Sequence, residues 1–141
     1  MNNFFEVKNV TFSSNKNHNL SGVNFHLKNK GDILSILGPS GVGKTTILRA
    51  IAGLDNIKDG EIWLDKKLIS SKKLSIEPEK REIALSFQEN SLFPHLNILQ
   101  NLKLGKERKT RIKRKVSIDE CISSFYLESI LNKYPHQVSA G

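Results

Sequence analysis

One stretch of this chain combines residue types and spacing that could bind a phosphate group. Residues 38–45 read Gly-Pro-Ser-Gly-Val-Gly-Lys-Thr, which is the G-x-x-x-x-G-K-T pattern of a P-loop. Its glycines have no Cβ, so the backbone can take positive φ angles and wrap N–H groups around an anion. Lys44 can reach phosphate oxygens as a point charge, and the Thr45 hydroxyl can bind Mg²⁺. The pattern therefore predicts a phosphate site with a metal ion.

The flanking segments are those that such a loop needs. Residues 33–37 (Ile-Leu-Ser-Ile-Leu) form a short apolar run, which predicts a buried parallel strand. Residues 46–52 have helical spacing, and Gly53 stands where a helix C′ residue is expected. This helix would direct its positive N-terminal end at the bound anion.

A polar residue follows a second predicted buried strand. Ile83–Phe87 is apolar and ends at Gln88. Ligands of open α/β sheets gather at the carboxyl ends of the strands. Gln88 is therefore a candidate contact for Mg²⁺, or for a water molecule near the terminal phosphate.

Bulk composition indicates a globular protein. The chain has 141 residues, of which 38% are hydrophobic and 26% charged, enough for one domain with its own core. No apolar run approaches the roughly 20 residues of a membrane helix, and the start does not resemble a signal peptide. Cys121 is the single cysteine, which favours a reducing cytoplasm, and a core position is expected for it rather than a nucleophilic role.

The net charge of +8 is concentrated in one segment. Between Lys103 and Lys115 lie eight basic residues and a single acid, Glu107. One interpretation is a contact with nucleic acid or anionic lipid, and the other is a solvated connection between two helices. Aromatic residues do not interleave with these charges, which favours the solvated connection.

Two predicted strands precede the loop. Phe4–Phe12 and Leu20–Leu27 alternate as antiparallel strands. The residues expected to point inward from the first strand are Phe5, Val7, Val10 and Phe12. A nucleoside monophosphate kinase usually has its P-loop strand first, so this order argues against that class.

Further strand signals follow the predicted helix. Asp59-Gly60 predicts a turn, and residues 61–65 a strand. Leu68-Ile69 could return as a short partner strand. Trp63 could be an adenine platform, but an aromatic residue in the middle of a strand is more often a packing residue.

The last third of the chain carries helix signals. Asn97 with Gln100, and Ser117 with Glu120, have the spacing of capping boxes. The first box predicts a helix through Leu102. The second predicts a helix that buries Ile118, Cys121, Ile122 and Phe125. A short helix carrying Ile130 and Leu131 would be stopped by Pro135.

Several of these marks occur in one characteristic order. They are the two strands, the P-loop, Ala52-Gly53-Leu54, residues 59–62, Gln88 and residues 134–141 (Tyr-Pro-His-Gln-Val-Ser-Ala-Gly). Together they resemble the nucleotide-binding subunit of ATP-binding-cassette (ABC) transporters. Residues 78–81, 87–88 and 92–96 are similar to the importer branch that handles ferric iron, polyamines, sulfate or molybdate. Selection among such substrates lies in other subunits of these systems.

The resemblance implies a fold and a set of site residues. The implied fold class is α/β, a P-loop NTPase of ABC type with an antiparallel β part, an incomplete RecA-like parallel sheet and a helical subdomain. Residues 1–141 would form one incomplete domain, with a nucleotide-binding core to about 90 and a helical subdomain from about 91. The implied ATP-binding residues are Gly38, Pro39, Ser40, Gly41, Val42, Gly43, Lys44, Thr45, Thr46 and Gln88. Thr45 and Gln88 would bind Mg²⁺.

The resemblance also implies partners and a location. Ser139, Ala140 and Gly141 match the start of the signature motif, which clasps the γ-phosphate bound by a second ATP-binding subunit. The loop from Gln88 to Leu96 would contact a membrane-spanning permease subunit, with Leu92, Phe93 and Leu96 as its apolar side. A solute-binding protein would act indirectly, and nucleic acid is not expected as a partner. The subunit would lie on the cytoplasmic face of the inner membrane.

The sequence departs from the family pattern in several places. Val138 and Ala140 replace Leu and Gly. The adenine-stacking aromatic residue would fall near Ser14, which cannot stack, and Phe12 could substitute for it. The chain stops inside the signature motif, before the Walker B strand, the catalytic Glu and the switch His, so no catalytic residue is assigned here.

Three hypotheses follow. The chain is the N-terminal part of an ABC importer ATPase, expected to bind ATP weakly without turnover. Alternatively it is a truncated, non-catalytic remnant that binds nucleotide or a partner. A third hypothesis is a DNA-associated ABC-type ATPase, motivated by the basic segment 103–115.

Overall fold

A computed structural model describes residues 3–13, 19–86, 92–107 and 116–138 of the chain. The chain divides into two compact units, Met1–Leu85 and Ser86–Gly141. Among the described residues, the first unit contains a four-stranded sheet, one α-helix and a 3₁₀ helix at Pro78–Lys80, and the second contains α-helices and short 3₁₀ helices.

The sheet of the first unit is antiparallel throughout. Its strands are β1 (Phe5–Ser13), β2 (Asn19–Leu27), β3 (Ile57–Leu64) and β4 (Lys67–Ser71), in the order β2-β1-β3-β4. Val7 of β1 lies opposite Phe25 on one side and Ile62 on the other. The two strands predicted ahead of the P-loop and the short partner strand are therefore confirmed.

One face of this sheet and the helix α1 (Lys44–Ala52) form the core. The side chains of β1 alternate on either side of an irregularity between Val7 and Val10. The four residues predicted to point inward are all buried: Phe5, Val7, Val10 and Phe12. Ile47 and Ala50 of α1 belong to the same cluster. Full burial of such an aliphatic side chain contributes roughly 1.5–3 kcal/mol, so this contact fixes the helix on the sheet.

The turn predicted at Asp59-Gly60 is wrong. Both residues lie inside β3, at a register shift opposite Asn9 of β1. Gly60 has φ 85° and Asn9 has φ 47°, and a Cβ at position 60 would collide with the Asn9 backbone. The glycine therefore permits a bulge where two backbones approach closely, and not a chain reversal.

The strands predicted at residues 33–37 and 83–87 are not formed in the part of the chain that the structure describes. Residues 32–39 and 83–86 belong to no strand, and the side chains of Ile33 and Leu37 are 93% and 89% exposed. A strand forms by pairing with a neighbour, and neither segment joins the described sheet. An apolar run is thus compatible with a strand without being sufficient for one.

The second unit contains α2 (Ile98–Glu107) and α3 (Ile118–Ser124), followed by 3₁₀ helices at Glu128–Ile130 and Pro135–Gln137. The N–H groups of Ile98 and Leu99 donate to the carbonyls of Lys133 and Leu131, at 2.9 Å each. These bonds satisfy two of the donors that a helix start leaves free. They join the beginning of α2 to the segment after α3.

Both predicted capping boxes are confirmed. Asn97 and Gln100 exchange backbone–side-chain hydrogen bonds of 2.9 and 2.8 Å, and Ser117 and Glu120 exchange bonds of 2.7 and 3.0 Å. The backbone N–H of Ser117 lowers the pKa of the Glu120 carboxyl, because the bond favours its charged form.

Burial in the second unit differs from prediction. The helical spacing predicts a buried Phe125, but its side chain is 71% exposed, because α3 ends at Ser124 and Phe125 follows it with non-helical backbone angles. Ile118, Cys121 and Ile122 are half-buried. The predicted short helix near Ile130 is a 3₁₀ helix, and Pro135 begins another one. Among the described helices of the chain, none has the length and apolar character needed to cross a bilayer.

Candidate phosphate-binding site

The predicted phosphate loop leads directly into a helix. Residues 38–43 precede α1, and Gly43 is its N-cap residue, with φ 108°. A Cβ on Gly43 would overlap the side chain of Leu20 in β2. Glycine at this position is therefore favoured by the backbone angle, and any larger residue would also require the Leu20 side chain to move.

The side chain of Lys44 turns back into the loop. Its ammonium group donates to the carbonyl of Gly38 at 2.7 Å and to that of Pro39 at 2.8 Å. An ammonium group has three N–H donors, and these two bonds leave a third for an anion. The loop thus holds a positive charge at the point where the sequence predicts a phosphate group.

The beginning of α1 contributes backbone donors to the same place. The first intrahelical bond runs from the Ile47 N–H to the Gly43 carbonyl at 3.0 Å, so the amides of residues 44–46 precede the helical ladder. No acidic residue lies in the first turn. No side chain of that turn therefore competes with a bound anion for the positive end of the helix. Thr45 is exposed and Thr46 is half-buried.

The other end of α1 is closed as predicted. Gly53 has φ 86°, its N–H donates to the Ala50 carbonyl at 3.1 Å, and the N–H of Leu54 donates to the Arg49 carbonyl at 2.9 Å. The Arg49 guanidinium holds Asp55 through two bonds of 2.8 and 2.9 Å. These bonds lower the pKa of the Asp55 carboxyl below its ordinary value.

The predicted permease-contacting loop is described from Leu92 onward. Leu92 and Phe93 are exposed, in agreement with an apolar contact surface, whereas Leu96 is half-buried. The rings of Phe93 and His95 meet edge to face, with centroids 5.9 Å apart.

Asn101 of α2 shapes this loop, a role that the motifs of the sequence do not predict. Its Oδ1 accepts the N–H of Phe93 at 2.8 Å. Its Nδ2 lies within 3.0–3.1 Å of three carbonyl oxygens, those of Phe93, Leu96 and Asn97. The available signal was an asparagine one turn inside a helix, where this residue type is a poor helix former.

Several predicted site residues lie outside the described residues. They are Gln88, the signature residues Ser139, Ala140 and Gly141, Ser14, and residues 108–115 of the basic segment. The structure therefore brings together residues 38–46 and tests no contact between them and Gln88 or the signature.

Burial distinguishes the two aromatic residues considered for stacking on adenine, Phe12 and Trp63. Phe12 is completely buried, so it offers no face to a base, and its proposed substitution for Ser14 is wrong. Trp63 lies in β3, is half-buried, and donates from Nε1 to Glu61 at 3.0 Å. Over the described ranges, no three His, Cys, Asp or Glu side chains gather as a metal site would require.

Residues 20–141 match the family model described as ABC transporter. The chain is 36% identical over 137 residues to the Fe(3+) ions import ATP-binding protein FbpC 2 of Haemophilus influenzae, covering 96% of this chain and 38% of that protein. It is 40% identical over 139 residues to the spermidine/putrescine import ATP-binding protein PotA of Thermotoga maritima, covering 96% and 36%.

Solved structures show the same fold. An ATP-binding cassette solved as a dimer in a post-hydrolysis state with ADP and Pi matches with a TM-score of 0.73 and 30% identity, over 96% of this chain and 63% of that one. The chain spans somewhat more than a third of the length of the two relatives named above. By the match across residues 20–141, the chain belongs to the ABC transporter family and has the fold of its P-loop ATPase domains.

Proposed function

We propose that this chain binds MgATP through residues 38–46, as part of the ATPase subunit of an ABC importer that couples ATP binding and hydrolysis to transport of a small solute or ion. The observation that carries this proposal is the placement of Lys44. Its ammonium group sits on the loop carbonyls of Gly38 and Pro39, beside the free amides at the start of α1. A cation and a helix N-terminus at one point favour a polyphosphate.

The proposed metal and partner contacts extend from this site. Thr45 and Gln88 would bind Mg²⁺, since hydroxyl and amide oxygens are suitable ligands for this ion. Ser139, Ala140 and Gly141 would contact the γ-phosphate of ATP held by a second ATP-binding subunit. We propose residues up to about 90 as the nucleotide-binding core and those from about 91 as the helical subdomain.

We further propose that the loop Gln88–Leu96 contacts a permease subunit, on the cytoplasmic face of the membrane. The exposed Leu92 and Phe93 support this assignment, because apolar side chains on a structured loop mark a contact surface. The names of the relatives, which are import ATP-binding proteins, support it as well.

The test of nucleotide binding is a titration of the chain with a fluorescent ATP analogue in the presence of Mg²⁺. Lys44→Ala removes one charge-assisted contact to phosphate, worth about 1.5–3 kcal/mol, and is expected to weaken binding by about tenfold to a hundredfold. Lys28→Ala removes an exposed lysine elsewhere in the same unit and is the matched control. Equal affinities for the Lys44 and Lys28 variants would contradict the proposed site.

A further inference from the structure

Arg81 has an unusual environment for an arginine. It is 6% exposed, and all five of its N–H donors meet an acceptor. The acceptors are the carbonyls of Ile76 (2.7 Å), Ala50 (3.0 Å) and Ile51 (2.7 Å), and the hydroxyls of Ser70 (2.8 Å) and Ser75 (3.2 Å). The guanidinium therefore joins the C-terminal end of α1 to β4 and to the segment that follows β4.

The charge of Arg81 is balanced by dipoles. All five acceptors are neutral, and across the described ranges of the chain no carboxylate forms an ion pair with this guanidinium. Burial lowers its pKa below the ordinary value for arginine. Two of the acceptors, the carbonyls of Ala50 and Ile51, belong to the last turn of α1, where the helix carries its partial negative charge; the Ala50 carbonyl also accepts the N–H of Gly53. The site thus suits a cation at the end of this particular helix.

The two ends of α1 have different tasks. Lys44 at its N-terminus forms the candidate phosphate site, whereas Ala50 and Ile51 near its C-terminus are held by Arg81. A helix of nine residues is about 13 Å long and moves as a stiff rod. Displacement of one end therefore changes the direction in which the other end points its N–H groups.

We propose that Arg81 is a positioning residue for the phosphate loop: by fastening the C-terminal end of α1 to β4, it sets the direction in which α1 presents Lys44 and its N-terminal amides to nucleotide. This inference rests on the proposed function. Residues 78–81 resemble the importer branch of the family, and that resemblance implies no role for Arg81.

The geometry requires arginine specifically. A lysine has three donors on one nitrogen and cannot span five acceptors that surround a planar fork. Gly53 completes the site, because a Cβ there would lie 2.6 Å from the Arg81 Nε and 2.8 Å from its Cζ. Ser70 is 1% exposed, so its hydroxyl is committed to this contact.

The experiment compares Arg81→Lys and Ser70→Ala with Lys80→Gln, an adjacent exposed residue whose ion pair with Glu77 lies on the surface. MgATP affinity is measured by titration with a fluorescent analogue, at a temperature where an unfolding curve shows each variant to be folded. We expect Arg81→Lys to bind at least tenfold more weakly, Ser70→Ala about threefold more weakly, and Lys80→Gln with unchanged affinity.

A role confined to stability would lower the unfolding midpoint of Arg81→Lys and leave the affinity of the folded protein unchanged, which would overturn the proposal. If Arg81→Lys does not fold, Ser70→Ala decides, and unchanged affinity there would overturn it too. Lys44→Ala is measured in parallel. If Lys44→Ala weakens MgATP binding but Arg81→Lys and Ser70→Ala do not, only this inference is refuted. If Lys44→Ala does not weaken binding, the proposed function and this inference are refuted together.

Discussion

Replacement of Gly53 by alanine is expected to destabilise the first unit far more than the same replacement at Gly31. Both glycines have left-handed backbone angles, φ 86° and φ 99°, so alanine costs about 1 kcal/mol at either position through the backbone alone. A Cβ at position 31 would meet nothing within 4 Å, whereas one at position 53 would lie 2.6 Å from the Arg81 Nε. The pair therefore separates backbone strain from the contact with Arg81.

The additional cost at Gly53 comes from the hydrogen bonds that Arg81 must give up. The guanidinium ends a flexible side chain and can swing away, but its acceptors are buried and fixed. Hydrogen bonds of a charged group contribute about 1.5–3 kcal/mol each, and a shift of this size weakens one or two of them, for a loss of about 2–4 kcal/mol. We expect Gly53→Ala to cost about 3–5 kcal/mol and Gly31→Ala about 1 kcal/mol.

The assay is urea unfolding followed by the fluorescence of Trp63. This residue is the single tryptophan of the chain and lies in β3, so it reports on the first unit. Repeating Gly53→Ala in an Arg81→Lys background completes a double-mutant cycle, and the cost should then fall toward about 1 kcal/mol. Equal losses for the two glycine variants, or an unchanged cost in the Arg81→Lys background, would refute the reasoning.

Two further predictions concern contacts away from the phosphate loop. Asn101→Ala should raise the amide exchange rate of Phe93 by at least tenfold, because its N–H loses the Oδ1 acceptor, whereas the N–H of Ser117, which is bonded to Glu120 on α3, should exchange at an unchanged rate and serves as the internal control. If the exchange rate of the Phe93 amide does not change in Asn101→Ala, Asn101 does not hold the loop. Asp55→Asn should remove a stabilisation of less than about 1 kcal/mol at neutral pH, since the pair with Arg49 is half-exposed. The pKa of Asp55 is lowered in the folded chain, so this stabilisation is present above about pH 4, the unfolded value, and is lost as pH falls through the folded value. Urea unfolding of both proteins from pH 7 to 3 checks this, and a stability difference as large at pH 3 as at pH 7 would count against it.

Local chemistry was readable from sequence where neighbouring residues decide the conformation. Gly53 closes α1 because an αL residue is needed there, and the boxes at Asn97 and Ser117 form because each involves residues three apart. Within β1, Phe5 and Val7, and again Val10 and Phe12, are buried as predicted because neighbouring side chains of a strand alternate. The irregularity at Asn9 inserts one extra residue between these two pairs, so both pairs are buried although Val7 and Val10 are three residues apart.

Features that depend on a distant partner were not readable in the same way. Residues 33–37 are apolar enough for a strand, yet in the described part of the chain they pair with none. Gly60 has the turn signal Asp-Gly but serves a bulge, because Asn9 of another strand approaches it. Phe12 has the right type to stack on a base, but it is enclosed by the core.

The sequence by itself determined that residues 38–45 form a glycine loop with a lysine at the start of a helix, because spacing along the chain suffices for that motif. Only the tertiary structure decided that the far end of the helix is held by Arg81. Its acceptors come from residues as far as 31 positions away, on the helix, on β4 and on the segment after β4. Such a contact exists only when the fold has brought those groups around one side chain, so no local sequence pattern predicts it.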